Sequence, residues 1–135
     1  MPGTSDRKWA QGYEDLEAFQ RAMRLLKPLH DLVLGFPDYE KYDLANQMRR
    51  AAKSIPANIA EGYARRRSVR EFVRHLTIAM GSANEMEIHV RIARELGYLT
   101  EEDGAIVSGE YQIIGKQLRK LIEHWSSLAS PTPSD

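Results

Sequence analysis

The sequence predicts an all-α protein, an antiparallel up-down four-helix bundle with proline-bent first and second helices. Three observations carry this. Apolar residues recur at three- and four-residue spacing in four successive segments, short Gly- or Pro-containing stretches separate them, and no stretch alternates with the period of a strand. With 135 residues the chain has the length of one domain. The short connections favour antiparallel neighbours.

Residues 1–12 are polar and contain Pro2, Gly3 and Gly12, while residues 129–135 include Ser130-Pro-Thr-Pro-Ser-Asp135. Both read as tails around a bundle spanning 13–128. The first helix is expected over 16–34, with Asp15 as its N-cap and Leu16, Phe19, Met23, Leu26, Leu29 and Val33 as its buried stripe. Pro28 removes one backbone donor, yet the stripe keeps its phase, which predicts a kink rather than an end. Gly35-Phe-Pro37 stops the helix. The second helix is expected over 43–64, capped by Asp43, with Leu44, Met48, Ala51, Ile55 and Ile59 buried. Pro56 bends it in the same way.

The third helix, 69–96, opens on Ser68-Val-Arg-Glu71, the pattern of a capping box. Its stripe is Phe72, Leu76, Ala79, Ala83, Met86, Val90 and Ala93, and Gly97 supplies a left-handed stop. The fourth opens on Thr100-Glu-Glu-Asp103, with acids at the positive end of the helix dipole. It continues through Ile106, Val107, Tyr111, Ile114, Leu118, Leu121 and Trp125. Gly109 and Gly115 each cost about 1 kcal/mol relative to alanine, which points to close packing there.

The chemistry that remains is limited. No cysteine is present, so disulfides, thiolate metal sites and cysteine nucleophiles are excluded together. No signal-peptide pattern and no long apolar run occur, and a soluble, cytoplasmic protein is expected without membrane contact. A di-iron bundle requires Glu-x-x-His motifs, and the chain has none. Glu85 and His89 share a helix face and read as a hydrogen-bonded pair; His30, His75 and His124 read as solvated or capping residues. The Gly109–Lys116 segment has the wrong spacing for a phosphate loop, and no strand precedes it. No metal, cofactor or catalytic set emerges, and an enzyme is disfavoured.

Charge is the remaining signal. The chain is formally neutral, but from Arg49 to His75 it carries Arg49, Arg50, Lys53, Arg65, Arg66, Arg67, Arg70 and Arg74 against only Glu61 and Glu71. Such a segment fits a nucleic-acid-binding surface, in which guanidinium forks grip phosphates and released counterions drive binding. It fits equally a solvated face neutralised by acids of the same or a neighbouring chain. Tyr63 and Phe72 alone interleave the arginines, which gives little support to base stacking.

Tyr13-Glu-Asp-Leu16, Gln47 through Gly62 with its Ser54-Ile-Pro-Ala-Asn-Ile-Ala-Glu-Gly62 core, Glu71-Phe72, Ile78-Ala-Met-Gly-Ser82 with Glu85, and Leu96-Gly-Tyr98 together carry a family resemblance. The chain resembles the bacterial four helix bundle protein family, which includes the intervening-sequence proteins encoded within large-subunit ribosomal RNA genes. It is also similar to the accessory variability determinant proteins of diversity-generating retroelements. The resemblance implies a ring-like homopentamer. For the retroelement branch it implies a basic surface for RNA or DNA and a partner reverse transcriptase. Many members carry a Gly-x-Gly-Arg turn where this chain has Gly62-Tyr-Ala-Arg-Arg-Arg67, richer in arginine and poorer in glycine. Pro56, Asn58 and Glu61 read as structural or subunit-contact residues, because polar groups near a helix break usually satisfy backbone. The function expected is a non-catalytic, oligomeric nucleic-acid-binding accessory protein. The alternative is a structural oligomer or protein-interaction module whose arginines pair across subunits.

Overall fold

A computed structural model describes residues 12–129. The tails expected at 1–12 and 129–135 lie outside these residues apart from Gly12 and Ala129. Four helices follow in order: α1 (Glu17–Leu34), α2 (Leu44–Ala64), α3 (Val69–Glu95) and α4 (Glu101–Ala129). Short 3₁₀ turns occupy Tyr13–Asp15 and Asp38–Glu40, and no strand is found among the described residues. Helix α3 makes the two most extensive interfaces, with α2 and α4; α1 packs on α2 and more lightly on α4. The diagonal pairs make no close backbone approach, which is the up-down bundle. No helix among the described residues is long and apolar enough to cross a membrane.

The α3 stripe is buried throughout, from Phe72 to Ala93, and so is the α2 stripe from Leu44 to Ile59. Both prolines sit inside unbroken helices. On α1 the buried line is Ala18, Ala22, Leu29 and Val33, and Met23 faces solvent instead of the core. The two alanines let α1 lie close to its neighbours, while Arg21 bridges to Glu110 of α4 at 2.6 Å. Ile106 of α4 is also on the outside, one residue before the buried Val107.

The helix ends depart from expectation in instructive ways. Leu16, not Asp15, holds the N-cap position of α1, without a side-chain cap. Asp43 occupies the N-cap position of α2, but its carboxylate accepts from Gln47 Nε2 at 2.9 Å. The cap is supplied by buried Glu40, whose Oε1 accepts from Leu44 N at 3.3 Å. At α3 only half of the capping box forms: Ser68 Oγ accepts from Glu71 N at 3.2 Å, while Ser68 N donates to Arg65 O and Glu71 turns to Arg74. The other end of α3 closes as a Schellman motif, with Tyr98 N on Ala93 O and Gly97 N on Arg94 O, and Gly97 at φ +80°. Thr100 Oγ1 accepts from Asp103 N at 3.0 Å at the start of α4.

Gly109 and Gly115 are not close-packed. A β-carbon at Gly109 would meet nothing within 4 Å, and one at Gly115 would just reach Asn84. Within the helices, the tight glycines among the described residues are Gly62, against His75 and Phe72, and Gly104, against Arg94.

Candidate nucleic-acid interface

The turn between α2 and α3 is built without glycine. Helix α2 ends at Arg65, whose N–H reaches Gly62 O and Tyr63 O, and Arg66 N follows onto Tyr63 O. Among the described residues only Gly97 has positive φ, so Arg65, Arg66 and Arg67 sit in ordinary backbone and the glycine-poor turn carries no strain.

This turn stands on an aromatic stack. Tyr63 meets Phe72 edge-on at 5.9 Å between ring centroids, and Phe72 meets Trp125 of α4 at 4.9 Å. The Arg66 guanidinium lies 4.0 Å from the Tyr63 ring centroid, and its Nη1 donates to Tyr63 O at 3.0 Å. Tyr63 and Phe72 are therefore buried platform, closed to an incoming base.

Both acids of the basic segment are occupied within it. Arg65 pairs with Glu61 at 3.2 Å and Arg74 with Glu71 at 3.3 Å. The hydrogen bond and charge of Arg74 hold the Glu71 carboxyl below its ordinary value. Arg67 and Arg70 are exposed and make no hydrogen bond or ion pair among the described residues. The charge at the tip is thus left over after the local acids are spent, and it faces solvent.

The eight cations form two groups rather than one patch. Arg65, Arg66, Arg67 and Arg70 lie at the tip, with Arg74 one turn along α3. Arg49, Arg50 and Lys53 sit twelve to sixteen residues back from Arg65, about 18–24 Å along the α2 axis. A helix cannot fold back to join them. Arg49 donates to Lys41 O at 3.0 Å, and so belongs to the α1–α2 loop. Arg50 borders a cleft of about 420 Å³ shared with Gln47, Ser54, Ser82 and Glu85.

Between the groups runs a polar seam across α2 and α3. Ser82 Oγ donates to Ser54 Oγ at 3.0 Å, and Asn58 Nδ2 reaches both Ser54 O (2.9 Å) and Ser54 Oγ (3.1 Å). That fixes the Asn58 amide, whose oxygen receives His75 Nδ1 at 3.0 Å. With Nδ1 donating, Nε2 of a neutral ring accepts from Arg74 Nη2 at 3.4 Å. His75 is therefore a buried link from the seam to the tip, neither solvated nor capping. Its signal was its place three residues after Phe72 and four before Ala79, on the buried side of the stripe. Pro56 is buried beside this seam. The carbonyl that it deprives of a donor is Ala52's, whereas Asn58 serves Ser54. Glu61 stays outside the seam, on Arg65.

His89 and Glu85 pair at 2.9 Å, as the spacing predicts. Among the described residues no group of three or more His, Asp or Glu stands where it could hold a metal ion.

Comparison with known proteins adds a relation. The model of the family described as 23S rRNA-intervening sequence protein matches residues 14–120. Among solved structures, the chain is similar to a crystal structure of a protein of unknown function from the S23 ribosomal protein family of Bacteroides thetaiotaomicron VPI-5482. The two share 24% identity over 78% of this chain and 95% of the other, with a TM-score of 0.71. No curated protein matches the chain.

Proposed function

The chain belongs to the 23S rRNA-intervening sequence protein family, and we propose that it is a non-catalytic, oligomeric accessory protein that binds nucleic acid phosphates through the α2–α3 tip. The observation that carries this reading is the state of the two local acids. Glu61 and Glu71 are both taken, so Arg67 and Arg70 remain without an acidic partner among the described residues, beside the stacked Arg66. The three uncompensated positive charges of Arg66, Arg67 and Arg70, held on an aromatic base, suit the regular charge of a nucleic acid backbone. The protein acts in the cytoplasm, needs no cofactor, and has a reverse transcriptase as its proposed partner, which co-purification would test.

Oligomerisation strengthens the reading, since several tips give avidity that one lacks. Ile78, Ile88, Ile92 and Leu96 are exposed along one side of α3, a surface suited to burial between copies. The test is equilibrium binding of RNA and DNA across a salt series, with Arg65, Arg66 and Arg67 replaced together by Ala. Wild-type affinity is expected to fall steeply with salt, and the triple variant to bind more weakly with a slope shallower by about 2–3. Absence of binding at about 50 mM salt ends this reading. If light scattering then showed the oligomer dissociating at high salt, the arginines would be serving contacts between subunits.

A further inference from the structure

We infer that the α1–α2 loop, at the opposite end of α2 from the arginine tip, is a stacking platform for unpaired bases. Tyr39 and Tyr42 offer the ring faces, and Arg49, Arg50 and Lys53 hold the phosphates. This rests on the proposed nucleic-acid binding and narrows it to single-stranded substrate.

The two tyrosines are 75% and 84% exposed, the highest values among the exposed large apolar side chains. Neither contributes to the core, yet the loop that presents them is firmly built. Glu40 is buried between them, its Oε1 accepting from Leu44 N and its Oε2 from Tyr98 Oη at 2.8 Å. The hydroxyls of Tyr39 and Tyr98 are 3.1 Å apart, and Phe36 packs against the Tyr98 ring at 5.2 Å. The Tyr39 ring is therefore tethered through its hydroxyl, and Tyr42 extends from the same loop. Stacking on the tethered Tyr39 ring loses little conformational freedom, and stacking tolerates any base because every base has a π-face.

The surrounding charge suits a phosphate backbone. Lys41 Nζ lies 5.5 Å from the Tyr42 ring centroid, and the Arg49 guanidinium is anchored on the Lys41 carbonyl. Arg50 and Lys53 continue along α2, exposed and without a side-chain hydrogen bond or ion pair among the described residues. The loop's three acids, Asp38, Glu40 and Asp43, leave the four cations one positive charge in excess, with Glu40 buried on Leu44 N and Tyr98 and Asp43 turned to Gln47. From this loop to the arginine tip, α2 spans about 30 Å. A strand can lie along it, with bases held at one end and phosphates gripped at both.

Leu34 and Leu96 are also exposed at this end of the bundle. An apolar protein partner would use them together with the tyrosines, so the test must separate stacking from simple apolar contact. The full chain is titrated by fluorescence anisotropy with a mixed-sequence 12-nucleotide RNA and with the matching duplex. Tyr39→Leu/Tyr42→Leu is expected to weaken single-strand binding by about tenfold or more while duplex affinity stays within about twofold. Tyr39→Phe/Tyr42→Phe, which keeps the rings, is expected to bind the single strand within about twofold of wild type. Unchanged single-strand affinity in the leucine variant, or an equal loss on duplex, overturns the inference. If Arg65, Arg66 and Arg67 prove necessary and the tyrosines do not, the inference alone fails. If wild type binds neither probe, the proposed function fails with it.

Discussion

The Nδ1 atom of His75 donates to the side-chain oxygen of Asn58 across 3.0 Å, joining α3 to α2 beneath the arginine tip. Asn58 is held in place by Ser54, and His75 passes the connection to Arg74. A buried polar link of this kind is worth little net when complete and costs much when half of it is removed.

His75→Ala should therefore destabilise the fold by about 2–3 kcal/mol, through the cavity and the orphaned Asn58 oxygen. Asn58→Ala should cost about 1–3 kcal/mol. In a urea-denaturation cycle the double variant should lose less than the sum, with a coupling of about 0.5–2 kcal/mol. Strict additivity would mean that the two side chains do not depend on each other.

Gly62→Ala and Gly109→Ala should move stability in opposite directions. A β-carbon at Gly62 would lie 2.6 Å from the His75 β-carbon and 3.1 Å from Phe72 Cδ1, so α2 and α3 must separate, at about 1–3 kcal/mol. At Gly109 the space is open, and alanine should stabilise α4 by up to about 1 kcal/mol. Thermal melts of the two variants check the contrast.

Glu40→Ala should cost about 1–2 kcal/mol, whereas Asp43→Ala should change stability by less than about 0.5 kcal/mol. Glu40 carries the N–H of Leu44 and the hydroxyl of Tyr98, while Asp43 meets only its own helix through Gln47. Urea midpoints for the two variants would reverse this order if Asp43 were the true cap.

Tyr111 sets the alkaline limit. Burial pushes its hydroxyl above the ordinary tyrosine range, and hydrogen bonds to Tyr39 and then Glu40 push Tyr98 the same way. The folded state thus holds protons that the unfolded state releases. Stability should be fully present below about pH 10 and decline as pH rises beyond it. The Tyr111 hydroxyl finds no hydrogen-bond partner among the described residues. Tyr111→Phe should be neutral or stabilising by up to about 1 kcal/mol at pH 7, and should soften the alkaline loss. A loss above about 2 kcal/mol at pH 7 would mean that the hydroxyl is bonded.

The sequence by itself determined the four helices, their order and most of the core. Those follow from periodicity, and the α3 stripe from Phe72 to Ala93 admits no other buried side. It also located the excess of positive charge, which is a matter of counting. Tertiary structure decided whatever depends on a partner distant in the chain. Glu40, not Asp43, caps α2 because the α1–α2 loop brings it there with Tyr98 to hold it. Met23 and Ile106 face outward because the alanines of α1 and Val107 of α4 fit the closer contacts. Gly62 is tight and Gly109 open because spacing along a helix is silent on how near the next helix lies. The basic segment divides because a rigid helix keeps Arg49 and Arg65 apart, a separation that proximity in sequence conceals.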